Sequence, residues 1–120
     1  MKTNLRQLAE KLGFTCLAGE AFLNRTPRWA YQSDLLSDVM GKAEAGMLWI
    51  TSQVHRNIVA VASLREVSAI IVVNERQVER EVLDHAEEEK VVILASGLPA
   101  FETAGILFKQ LKEIERNSQS

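Results

Sequence analysis

The sequence predicts an α/β domain built on a single open, mainly parallel sheet flanked by helices. Two observations carry this reading. Three short apolar runs, Met47–Thr51, Ala69–Val73 and Val91–Ala95, lack polar alternation, as expected of strands covered on both faces. Each is followed by a stretch with helical periodicity, at about Arg56–Glu66, Val78–Glu89 and Pro99–Glu115. Successive strand–helix units of this kind return parallel strands through right-handed crossovers.

The remaining elements follow in order. Asn4 or Thr3 caps a first helix running to Lys11, with Leu5, Leu8, Ala9 and Leu12 on one face, and Gly13 ends it. Phe14–Ala18 reads as a short strand, Gly19-Glu20 as a turn, Asn24–Pro27 as a loop and Arg28–Gln32 as a second strand. Ser33 is placed to cap a short helix, Asp34–Met40, whose first turn suits the negative charge of Asp34. Pro99 fits the first position of the final helix, and residues 117–120 read as a disordered tail. With no linker, repeat or low-complexity stretch, residues 1–116 are expected to form one domain.

Two helices carry different information. Val78, Val82, Leu83 and Ala86 make one apolar stripe, while Glu79, Arg80, Glu81 and Glu87–Glu89 read as a solvated face. Ile58–Ala62, by contrast, is apolar right around the helix and must be covered on all sides. A neighbouring helix or a second subunit would serve, and Ile58, Val59 and Ala62 are therefore candidate interface residues.

Composition narrows the function. Apolar residues at 47% and charged residues at 25% are those of a globular chain. A net charge of −2 without a basic cluster speaks against a nucleic-acid surface. No apolar run approaches the roughly 18–20 residues that span a bilayer. The amino terminus opens an amphipathic helix without a signal core, so a soluble, cytoplasmic protein is expected. Cys16 is the only cysteine, has no internal disulfide partner and reads as an inert thiol in a strand.

In open parallel sheets, ligands bind beyond the carboxyl ends of the strands. That rule selects Ser33 and Asp34, then Thr51, Ser52, Gln53, His55 and Arg56, then Asn74 and Arg76, and finally Ser96 and Gly97. Hydroxyls, helix-start N–H groups and two arginines suit a phosphate or carboxylate. Ser33, Ser52 and Ser96 are accounted for equally well as helix caps. His55 has no carboxylate or nucleophile partner at a telling spacing, and His85 reads as a packing residue. No metal-ligand spacing, P-loop, dinucleotide fingerprint or nucleophile elbow occurs, so neither an enzyme nor a bound cofactor or metal is expected.

Ser33–Met40, Leu48–Thr51 and Ile58–Ala62, continued by Ala69–Val73 and Ala86–Leu94, resemble a DRTGG-domain protein over nearly the whole chain. The resemblance implies the α/β fold of the amino-terminal domain of HPr kinase/phosphorylase, shared with part of a peptidoglycan ligase. It does not bring the kinase chemistry, which belongs to a separate P-loop domain. The Asp-Arg element of the motif falls at His55-Arg56, keeping only the arginine. The Thr-Gly-Gly element falls near Val72-Val73-Asn74, where no glycine occurs. Relatives occur beside nucleotide-binding CBS domains and near hydrogenase genes. The all-round apolar helix and the missing catalytic motifs point to a noncatalytic regulatory module that homodimerises and docks on a protein partner, which the resemblance implies to be hydrogenase- or metabolism-associated. The alternative is a sensor of a nucleotide or phosphate-type anion at the strand ends.

Overall fold

The computed structural model describes residues 2–118, apart from the side chain of Ser118. The first helix, α1 (Leu5–Leu12), is capped by Asn4, whose side chain accepts from Gln7 N while Gln7 caps back, and it ends at left-handed Gly13. Next come β1 (Thr15–Ala18), a 3-10 turn at Glu20–Phe22, and β2 (Ala30–Gln32). Then α2 (Leu36–Lys42), β3 (Leu48–Thr51), α3 (Asn57–Arg65), β4 (Ala69–Val72), α4 (Arg80–Glu88), β5 (Ile93–Ala95) and α5 (Ala100–Ser118) alternate strictly.

The five strands lie in the order β1-β5-β4-β3-β2. All pairs are parallel except β1 with β5, which is antiparallel and bulged between Cys16 and Ala18. The expected open, mainly parallel sheet is therefore present. β3 and β4 are buried at every position, as their unbroken apolar runs require. Pleating divides their side chains between two cores. Trp49, Ile70, Val72 and Ile93 meet α2, α3 and α4, while Leu48, Ile50, Ile71 and Leu94 meet α1 and α5.

Local differences from the sequence reading have physical causes. Ser33 does not cap a helix beginning at Asp34. Its hydroxyl accepts from Leu35 N in a local turn, and the helix begins two residues later than expected, because Asp34 is drawn toward β3. α5 continues past Glu115, so Asn117 and Ser118, expected in the tail, are helical, while Gln119 and Ser120 lie outside the described residues.

The apolar helix α3 is covered within the single chain. Ile58, Val59 and Ala62, expected at an interface, are at most 1% exposed among the sheet and the flanking α2 and α4. They offer no surface to a second subunit. The exposed residues of α3 are Asn57, Ala60 and Leu64.

Residues 19–29 connect opposite edges of the sheet by running beneath the amino ends of its parallel strands. The Arg25 guanidinium donates to the carbonyls of Ser68 (3.3 Å) and Lys90 (2.6 Å), just before β4 and β5. Gly19 opens this strap at φ 81°, and its N–H donates to Glu87 on the face of α4 otherwise read as solvated. A Cβ on Gly19 would stand 2.8 Å from Val91 O and Val92 Cα. Gly19→Ala is accordingly expected to lose about 2–4 kcal/mol in urea unfolding, from left-handed strain and overpacking together. Gly41→Ala, in α2 with no heavy atom within 4 Å of a Cβ, should instead gain about 0.5–1 kcal/mol.

Candidate functional site

With the amino ends strapped, the loops at the carboxyl ends of β2, β3, β4 and β5 form the open end of the sheet. Asp34 organises this end. Leaving β2, the chain keeps one further sheet contact, Ser33 N to Ile50 O, and Trp49 Nε1 donates to Ser33 O at 2.8 Å. This fixes Asp34 above the end of β3. Its carboxylate there accepts from Thr51 Oγ1 (2.7 Å), Ser52 N (2.7 Å) and Ser52 Oγ (2.8 Å). Thr51 Oγ1 in turn accepts from Gln53 N, and Arg76 donates to Ser52 O at 3.1 Å from the β4–α4 loop.

Burial opposes the charge on Asp34. The Ser52 N–H, the two hydroxyls and the Arg76 charge outweigh it and hold the carboxyl below its ordinary value of 3.8. Stability drawn from a lowered folded-state pKa is complete above the ordinary value and lost as pH falls through the depressed one.

All the predicted site residues except Asn74 fall into three groups. Ser33, Asp34, Thr51 and Ser52 are engaged with one another and with the backbone. Gln53, His55, Arg56 and Arg76 line a cleft of about 380 Å³ between the starts of α3 and α4. Ser96 and Gly97 line a neighbouring cleft of about 540 Å³, which also reaches Arg76. Asn74 lines neither cleft; it sits at φ 66° with its N–H bonded to Leu98 O, and Glu75 follows at φ 52°. The two arginines thus face one cleft and arrive from different loops.

The first cleft also holds Gln77, together with Glu79 and Glu81, which the sequence reading left on the solvated face. Glu81 meets Arg56 at 3.8 Å. No local signal marks that pair, because it exists only where α4 packs beside α3.

His55 Nδ1 contacts Asn57 Oδ1 in the turn that opens α3. The Ser52 and Thr51 hydroxyls are spent on Asp34, and Ser96 Oγ bonds Thr103 Oγ1 at 2.8 Å. Among the described residues no buried side-chain N or O atom lacks a hydrogen-bond partner. No cluster of three or more His, Cys, Asp and Glu in that part of the chain is placed to hold a metal ion. Cys16 is half-buried; burial pushes its thiol up, against the lowering effect of its bond to Ala18 O. No helix among the described residues is long and apolar enough to cross a membrane.

Asp34→Asn keeps the shape of the hub and removes its charge. It is expected to cost about 1–2 kcal/mol at neutral pH, the lower part of the range for charged hydrogen bonds because Asp34 lies at the surface. Urea unfolding in an acid series should show the difference from wild type closing as pH drops below 3.8.

No protein-family model and no curated protein matches the sequence. Among solved structures, the fold is similar to the CBS and DRTGG domains of the regulatory region of a Clostridium perfringens pyrophosphatase. The TM-score is 0.71 at 17% identity, and the match covers 91% of this chain but 47% of that one. This chain therefore spans about half the length of its structural neighbour, and what the two share is the fold.

Proposed function

We propose that this chain is a noncatalytic regulatory module of the DRTGG type, which senses a small anionic ligand at the open end of its sheet. The observation that carries the reading is the convergence of Arg56 and Arg76, from two different loops, on one cleft at the carboxyl ends of parallel strands. Both guanidinium groups are held loosely. Arg56 has an exposed pair with Glu81, and Arg76 donates one hydrogen bond to the carbonyl of Ser52 besides its charge attraction to Asp34. An incoming phosphate or carboxylate would offer each a stronger, bidentate partner. Gln53, Gln77 and His55 supply further hydrogen-bonding groups along the same walls.

The structural neighbour supports this reading in kind. It is a regulatory region whose structure was determined with its activator, diadenosine tetraphosphate. A nucleotide or phosphate-type anion is therefore the ligand class of choice here. The absence of catalysis in the proposal rests on the hydroxyls, which are committed to Asp34 and Thr103, and on His55, which is engaged with Asn57.

Thermal unfolding against adenine and guanine nucleotides, dinucleotides and simple phosphates tests the proposal. A ligand at about 100 times its dissociation constant should add about 2.7 kcal/mol, a shift of several degrees for this size. Arg56→Ala should abolish the shift while leaving unliganded stability within about 0.5 kcal/mol, since exposed ion pairs contribute little. A flat response across the panel, or a shift indifferent to Arg56→Ala, would remove this site.

A further inference from the structure

The two clefts at the open end of the sheet meet at one short stretch of chain. Arg76 and Gln77 line both the cleft of about 380 Å³ and the cleft of about 540 Å³. Each volume falls within the roughly 300–1,000 Å³ of small-molecule sites. The turn before this stretch is fastened to the exit of β5: Asn74 N donates to Leu98 O at 2.9 Å, and Glu75 N to Ser96 O at 3.3 Å. It delivers two neighbouring residues of opposite charge to the junction. The Arg76 guanidinium bonds Ser52 O at the end of β3, while Glu75 lines the second cleft and not the first.

The second cleft is chemically unlike the first. Leu17, Val78 and Leu83 give it an apolar wall, and each is half-buried, so part of each side chain stays open to the cleft. Glu75 is the one acid among its lining residues. Its Oε1 lies 3.6 Å from the place a Cβ on Gly97 would take, so the carboxylate stands over bare backbone just past β5. It is exposed and has no hydrogen bond or ion pair among the described residues. A carboxylate in that position repels further negative charge and accepts from hydroxyls. A vicinal diol offers one donor to each of its oxygens, which is how an acidic residue holds a ribose in other α/β nucleotide sites. An apolar wall beside it suits a flat heterocycle.

We propose that the second cleft is the nucleoside subsite of one bipartite site. The phosphates of a ribonucleotide lie between Arg56 and Arg76, its ribose diol donates to Glu75, and its base rests against Leu17, Val78 and Leu83. This rests on the anion reading of the first cleft and narrows it, from any phosphate or carboxylate to a ribonucleoside polyphosphate that crosses the Arg76-Gln77 stretch. An inorganic phosphate has nothing to place in the second cleft.

Isothermal titration calorimetry of the full chain with ATP, GTP, their dideoxyribose counterparts and inorganic tripolyphosphate is the test. At least one ribonucleotide should bind about tenfold or more tighter than tripolyphosphate. Its dideoxy counterpart should lose about tenfold, as for hydrogen bonds to a charged acceptor. Glu75→Asn withdraws the carboxylate, and asparagine tolerates the φ of 52° found there. The variant should erase the difference between ribose and dideoxyribose forms and leave tripolyphosphate binding unchanged, which also reports that it is folded. Arg56→Ala should weaken nucleotides and tripolyphosphate alike. Ribonucleotides that bind no tighter than an Arg56-dependent tripolyphosphate overturn the nucleoside subsite and leave the anion reading standing. So does a dideoxy penalty that Glu75→Asn leaves intact. If neither tripolyphosphate nor any nucleotide binds, both readings fall.

Discussion

Burial of β3 and β4 on both faces is the constraint from which the rest of this architecture follows. Every residue of these two strands is buried. Each large aliphatic side chain among them contributes about 1.5–3 kcal/mol only while water is kept from it. Helices must therefore cover both faces, yet the two faces are supplied differently. The right-handed crossovers between adjacent parallel strands put α2, α3 and α4 on one face. Only the elements outside those crossovers, α1 and α5, are left for the other. The uneven cover, three helices against two, is thus a product of strand order, and the shortfall shows as a groove of about 180 Å³ between Trp29, Ile50 and the α5 residues Ala104 and Phe108.

The two ends of the sheet are unequal for a related reason. Because β1 and β2 occupy opposite edges, the chain between them must cross the sheet, and it does so beneath the amino ends. Arg25 fastens it there through two main-chain carbonyls. The carboxyl ends are spared this traffic and keep their loops free. Asp34 restores order to them, tying the exit of β2 to the exit of β3 and, through Ser52 and Arg76, to the loop after β4. The cleft carrying Arg56 and Arg76 is open to solvent but stands on a fixed floor.

Much of the fold was legible in the sequence, because its strongest signals are contiguous. Trp49 and Ile70 lie in runs that only two-sided burial explains, and Asn4 and Gly13 mark the ends of α1 by their own chemistry. The place of β1 was not legible: four residues of mixed exposure carry no mark of their partner or direction. The apolar circumference of α3 signalled the burial of Ile58, Val59, Val61 and Ala62 but not the exposure of Ala60, and sequence alone does not say that α2 and α4 supply the cover. On α5, nothing local marks Phe101 and Phe108 as exposed, since helical spacing does not reveal where the sheet lacks a covering helix. At the open end, the loops were identified by a general rule of parallel sheets. The division of their residues between hub and cleft was not, because the bonds from Asp34 to Thr51 and Ser52 join different elements and leave no local pattern.

The antiparallel pairing of Thr15 with Ala95 also has a kinetic consequence. β1 has no neighbour in the sheet other than β5, the last strand to leave the ribosome. During synthesis the parallel sheet from β2 onward grows by adding each strand beside its predecessor, through contacts of modest sequence separation. The first strand must wait for the last, and closing that long loop makes it a late step. Until then the outer side of the nascent β5 is an unpaired sheet edge, open to pairing with another chain.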